Sequence, residues 1–138
     1  MKRTASAHWE GTLKDGKGTI STQSTILKNT QYSFKTRFED GIGTNPEELI
    51  VASHAGCFTM AVGAQLTQGG FNPTSLDTLA TAEVDMANLA ITGIHLEITG
   101  AVPNLTNEKF QEVVKGAEKN CIISKALSVP ITSKGILL

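Results

Sequence analysis

Between Leu49 and Leu66 the chain is Ala-rich and almost uncharged, and this stretch constrains the fold more than any other. A start signal precedes it. Thr44 or Asn45 can cap a helix, Pro46 suits a first helical turn, and Glu47 and Glu48 favour its positive end. Gly69-Gly70 supplies the stop. The pattern predicts one long helix with Cys57 in its middle. Because it is apolar on nearly all sides, it should be buried on nearly all sides. A chain of 138 residues forms one domain, 1–138, with a modest core. Covering such a helix with so little chain calls for a second copy, so an obligate homodimer is expected.

The remaining elements follow from shorter patterns. His8 to Leu13 and Thr19 to Thr22 flank an Asp15-Gly16 turn and predict a hairpin. Tyr32, Phe34, Thr36 and Phe38 alternate with Ser33, Lys35 and Arg37, which predicts a strand with Arg37 opposite the aromatics. Two more strands are expected where Ala80, Ala82, Val84 and Met86, and then Ile94, Leu96 and Ile98, alternate with polar residues. Asn107 should cap an amphipathic helix with Phe110, Val113, Val114 and Ala117 on one face. Cys121 ends that helix, and a last strand is expected near Val129 to Leu137. Strands, helix, strands, helix and strand make an α+β pattern.

Composition excludes several functions. Twelve basic residues against thirteen acidic ones leave no clustered basic excess for nucleic acid or a membrane surface. No apolar run is expected to reach the roughly 20 residues that span a bilayer. Lys2 and Arg3 have no apolar stretch behind them, so no secretory signal is read and a cytoplasmic location is expected. In a reducing compartment, two cysteines mean buried thiols, a metal site or redox chemistry. Cys57 and Cys121 are 64 residues apart, which is no CxxC motif. His8 and His95 are scattered without ligand-like spacing, so no metal is expected. His54, three residues before Cys57, shares its helix face and leaves a Cys–His acyl-transfer nucleophile as a further option.

The string Asn45-Pro46-Glu47-Glu48 through Ala55-Gly56-Cys57-Phe58 resembles the signature of the OsmC/Ohr family of organic hydroperoxide reductases. The opening His8-Trp9-Glu10-Gly11, the segment Thr36-Arg37-Phe38-Glu39 and the motif Cys121-Ile122-Ile123-Ser124 resemble its OsmC branch. Ile122 stands where many members have proline. The resemblance covers almost the whole chain. It implies an OsmC-like fold, with antiparallel sheets packed around two central helices in an intertwined homodimer.

It also implies a chemistry. Cys57 would attack a hydroperoxide as thiolate and become a sulfenic acid, and Cys121 would resolve it to a disulfide. A dithiol, of lipoyl type in the family, would then reduce that bond, and no cofactor is needed. A thiol three turns into a helix is too far in to use the helix dipole, so a cation is required. The resemblance gives that role to Arg37, with Glu47 orienting it. Ten helical residues put Glu47 roughly 15 Å along the axis from Cys57. Two such helices crossing antiparallel about a two-fold axis would bring Glu47 of one chain towards Cys57 of the other. Leu49, Ile50, Phe58 and Met60 would favour alkyl or fatty hydroperoxides. The alternative from another class is a binding module of the same fold that holds a small apolar ligand without catalysis.

Overall fold

A computed structural model describes residues 1–138. Contacts divide the chain into two compact units, Met1–Leu49 and Ile50–Leu138.

In the first unit, β1 (Ala5–Glu10), β2 (Lys17–Thr22) and β3 (Thr30–Tyr32) form a three-stranded antiparallel sheet in that order. The hairpin forms as expected around Asp15 and Gly16. Gly18 lies between Trp9 and Tyr32 in the register, and their rings close over it with centroids 5.4 Å apart. A Cβ at Gly18 would run into both rings, so glycine is required there by space.

The strand expected over Tyr32 to Phe38 is not formed. The chain turns at Ser33 into a short helix, α1 (Phe34–Phe38). Ser33 and Thr36 make a reciprocal capping box, and Asn45 Nδ2 donates to the Thr36 carbonyl at 3.1 Å. The aromatic spacing that looked like period two also satisfies a helical i,i+4 pair. Phe34 and Phe38 stack at 4.8 Å between centroids. Arg37 therefore sits on a helix, with its guanidinium carbon 5.2 Å from the centre of the Phe38 ring.

The long helix forms where predicted, as α2 (Pro46–Gln68). Asn45 caps it, its Oδ1 accepting from the Glu48 N–H at 2.8 Å. At the far end the Phe71 N–H reaches back to the Leu66 carbonyl, and Gly70 takes a positive φ of 83°. Burial differs from expectation. Only His54, Phe58, Val62 and Leu66 are buried, one residue per turn along a single face, while Ala52, Ser53, Gly56, Met60 and Ala64 are exposed. The expectation about membrane-length runs also needs correcting. This helix is 23 residues long, with a window of mean hydropathy 1.4, enough to cross a bilayer by length and composition. Its buried stripe packs into a protein core.

That core belongs to the second unit. Strands β4 (Ser75–Asp85) and β5 (Ala90–Ala101) pair antiparallel along their length, with an irregularity at Glu83 and Val84. Helix α3 (Asn107–Asn120) follows, capped by Thr106 one residue earlier than expected, through its side chain and the Lys109 N–H. Cys121 ends α3 and begins the short α4 (Ile122–Ala126), which leads to β6 (Ile131–Leu137). The second sheet is mixed, because β6 runs parallel to β5. The α3–α4 connection is long enough to return the chain to the same end of the sheet, and parallel pairing needs such a crossover. Ile94, Leu96 and Ile98 of β5 meet Phe58, Val62 and Leu66 of α2 and Phe110, Val114 and Ala117 of α3 in one apolar cluster. Each such large side chain contributes about 1.5–3 kcal/mol by leaving water.

Candidate active site

Within the second unit, α2 carries Cys57 and the end of α3 carries Cys121. Their sulfurs lie 2.7 Å apart as free thiols. Cys121 is 2% exposed, whereas Cys57 is half-buried and so accessible to a small reagent. Burial pushes the Cys121 thiol up, as does its contact with Cys57. The Ser124 and Ile123 amides, too loosely placed to count as cap bonds, and the Ser124 hydroxyl draw it part of the way back. The thiol pair can close to a disulfide with little more than side-chain movement.

His54 does not serve Cys57. Its ring is fully buried, and Nε2 lies 2.8 Å from the Ser124 hydroxyl. Nδ1 is buried without any partner. Burial lowers its pKa below 6.5 and keeps the imidazole neutral. The Cys–His acyl-transfer option therefore fails, because the only partner of the imidazole is a serine.

In the first unit, Arg37 and Glu47 form an ion pair. Nε and Nη2 both donate to Glu47 Oε1, at 2.8 and 2.6 Å. Glu47 Oε2 is buried with no partner, and Arg37 Nη1 makes no hydrogen bond within the chain. The pair thus keeps the Arg37 Nη1 amino group and the Glu47 Oε2 oxygen for something else. Beside it lies a pocket of about 290 Å³ walled by Trp9, Leu13, Tyr32, Phe34 and Phe38, with Arg37 on its rim. This differs from the lining expected from sequence. Phe58 is fully buried in the core and Met60 is 77% exposed, so neither lines a cavity.

The pattern is that of a known family. The model of the OsmC-like proteins matches residues 39–134, more than half of the sequence, including Glu47, Cys57 and Cys121. The chain belongs to the OsmC family. Peroxiredoxin OsmC of Escherichia coli (strain K12) is 46% identical over 134 residues, 96% of this chain and 94% of that protein. Among solved structures, an OsmC-like protein from Mycoplasma pneumoniae has a TM-score of 0.77 at 14% identity, over 100% of this chain and 98% of its own. The organic hydroperoxide resistance protein OhrB of Bacillus subtilis has a TM-score of 0.65 at 23% identity, over 98% of both chains. The α+β architecture is thus the OsmC/Ohr fold.

Two features of this OsmC-family chain escaped sequence reasoning. Ser124 was visible only as part of the second-cysteine motif, and its partner His54 lies 70 residues away. The aromatic pocket gathers residues from β1, β3 and α1, and the strand reading of Tyr32 to Phe38 hid it. A Ser-x-x-Thr capping box at Ser33 and Thr36 was the available signal.

Proposed function

We propose that this OsmC-family protein is a cysteine-based peroxidase that reduces organic hydroperoxides to alcohols and runs on a thiol–disulfide cycle. The observation that carries the reading is the 2.7 Å approach of Cys57 and Cys121. The Cys57 thiolate attacks the terminal oxygen of the hydroperoxide. The O–O bond breaks, the alkoxide leaves and takes a proton to become the alcohol, and Cys57 is left as the sulfenic acid. The Cys121 sulfur then attacks Cys57 Sγ, the S–O bond breaks, and the hydroxide leaves as water. Two electrons from an external dithiol, a lipoyl-type group being the class the family suggests, restore both thiols.

Arg37, held by Glu47, is assigned the cation that stabilises the Cys57 thiolate and the departing alkoxide. Arginine keeps its charge when desolvated and presents several donors. Its aromatic pocket suits the organic part of the substrate. The site is completed in a homodimer, with Arg37 and Glu47 of one subunit serving Cys57 of the other, while the chain 1–138 acts as a single functional domain. Supporting the dimer is the face of α2 on which Ala52, Gly56, Met60 and Ala64 are exposed. A reducing cytoplasm, where the resting thiols of such a cycle are regenerated, is the proposed compartment.

Reduced protein mixed with near-stoichiometric cumene hydroperoxide should lose two hydrogens by intact mass and both free thiols. Cys57→Ser should abolish the change. No reaction of the parent would defeat the reading and leave apolar-ligand binding as its replacement.

A further inference from the structure

Two side-chain contacts join α2 to the segment around α4. His54 Nε2 meets Ser124 Oγ at 2.8 Å, and Cys57 Sγ meets Cys121 Sγ at 2.7 Å. On α2, Cys57 follows His54 by three residues, and Ser124 follows Cys121, the N-cap of α4, by three. Residues at that spacing share a helix face, with their Cβ atoms about 5–6 Å apart. Because His54 faces Ser124 and Cys57 faces Cys121, the two segments run in opposite directions, and the contacts form two rungs between them.

Little else fixes α4. It has five residues, and isolated helices shorter than about 12 residues are marginal in water. Its backbone bonds run from the Lys125 N–H to the Cys121 carbonyl at 3.1 Å and from the Leu127 N–H to the Ile123 carbonyl at 3.2 Å, all within the same turn. Ile122, Lys125 and Ala126 are exposed, and Ile123 packs only partly against the core. Ser124 is the one buried residue of α4, and its hydroxyl bonds to His54. The imidazole is equally committed. His54 is 0% exposed and Nδ1 has no partner, so losing Ser124 would leave both ring nitrogens buried and unmet.

Resting on the peroxidase reading, we propose that His54 and Ser124 are positioning residues: their hydrogen bond clamps α4 onto α2 and so holds Cys121 Sγ within bonding reach of Cys57.

The clamp bears on one step of the cycle. The Cys57 sulfenic acid is resolved when Cys121 loses its proton and attacks Cys57 Sγ. The S–S bond forms, the S–O bond breaks, and the leaving hydroxide takes up a proton as water. Cys121 sulfur is oxidised and the sulfenic sulfur reduced, so no further reagent is needed. A reaction between two groups of one molecule gains its speed from how well they are held together. Cys57 is fixed within a long helix, whereas Cys121 lies at the corner where α3 gives way to α4. With the clamp open, α4 has to be ordered whenever the disulfide forms, and that ordering costs conformational entropy. The clamp therefore speeds closure and stabilises the disulfide against reduction. Attack of Cys57 on the hydroperoxide needs neither His54 nor Ser124.

The test uses the full-length protein in two measurements. A single turnover with one equivalent of cumene hydroperoxide, trapped with dimedone and read by intact mass, separates sulfenic acid formation from disulfide closure. Equilibration in glutathione buffers gives the reduction potential of the Cys57–Cys121 disulfide. Ser124→Ala and His54→Leu each remove the clamp. Either should slow closure about fivefold, the scale of one net hydrogen bond, and raise the potential by about 20 mV, the same factor for a two-electron couple. Sulfenic acid formation should keep the parental rate in both. The double variant should be no worse than a single one, because both changes break the same contact. His54→Gln, whose amide nitrogen can replace Nε2, should recover most of the rate and of the potential. Ile98→Val opens a small cavity in β5, outside the clamp, and should leave both unchanged. A parental rate and potential in Ser124→Ala or His54→Leu overturn the proposal, and Ser124→Ala decides alone if His54→Leu does not fold. An equal shift in Ile98→Val, or no recovery in His54→Gln, also overturns it, since a packing defect would behave that way. A parent that forms neither sulfenic acid nor disulfide overturns the peroxidase reading itself, a result distinct from all of these.

Discussion

Cys57 on α2 and Cys121 at the junction of α3 and α4 meet sulfur to sulfur at 2.7 Å, although 64 residues separate them in sequence. The two differ in access, since Cys57 is half-buried and Cys121 almost fully enclosed. In the proposed cycle that asymmetry orders the chemistry: the thiol a peroxide can reach reacts first, and the hidden one answers it.

The order has a direct consequence for Cys121→Ser. With no second thiol, the Cys57 sulfenic acid has nowhere to go but up the oxidation ladder. Excess cumene hydroperoxide should therefore add two and then three oxygens to the variant, read by intact mass, while the parent stops at the disulfide. Cys57→Ser should gain nothing. Over-oxidation of parent and variant at equal rates would show that Cys121 gives no protection.

Arg37 should matter through its charge and its fork of donors together. Arg37→Ala should lower the second-order rate of thiol loss with cumene hydroperoxide at least tenfold, in stopped-flow measurements under excess peroxide. Arg37→Lys should recover little of it, because an ammonium cannot hold Glu47 through two nitrogens and still offer a third. Glu47→Gln keeps a hydrogen-bond acceptor for Arg37 and should cost less. A parental rate in Arg37→Ala would remove the guanidinium from the mechanism.

The sequence made α2 legible down to its first residue, because Asn45-Pro46-Glu47-Glu48 and Gly69-Gly70 are local signals that nothing distant overrides. Cys57 and Cys121 could be named as a pair because the motif carried them. Arg37 was placed on a strand and lies on a helix instead. Phe34 and Phe38 fit both a period of two and an i,i+4 step, and the Ser33 capping box settles the matter for the helix. The sequence could not show that His54 meets Ser124, since that contact depends on how α4 folds back beside α2. Nor could it show which side of α2 stays uncovered. Apolarity all round gives no direction, whereas the structure buries one stripe and leaves Gly56 with open space before it.

That open face carries a prediction about assembly. Ala52, Gly56, Met60 and Ala64 recur along the exposed side of α2, three of them small enough for another backbone to come close and the fourth a large apolar side chain. If a second copy covers them, Met60→Glu places a charge in an apolar contact at a position that is 77% exposed in the single chain. The folded monomer should tolerate the change, and the dimer should not. Sedimentation velocity should show the parent as a dimer and the variant as a monomer with unchanged far-UV circular dichroism. A parent that sediments as a monomer across the micromolar range would end the dimer proposal.

The last prediction concerns stability against pH and follows from the buried imidazole alone. Burial lowers the pKa of His54 below the 6.5 of a solvated histidine. The unfolded chain therefore binds a proton at a pH where the folded chain does not. Stability rises with pH wherever the unfolded state holds more protons. The contribution of His54 is thus complete above about pH 6.5 and is lost as pH falls from there through its folded-state value. Protonation would also turn the idle Nδ1 into a buried donor with no acceptor, which adds a structural cost to the electrostatic one. Urea midpoints of the reduced protein should fall between pH 7 and pH 5, and the fall should be shallower in His54→Leu. The two proteins differ at this one residue, so the difference between the two curves isolates His54. Parallel curves would mean that the imidazole takes its proton inside the fold as readily as outside it.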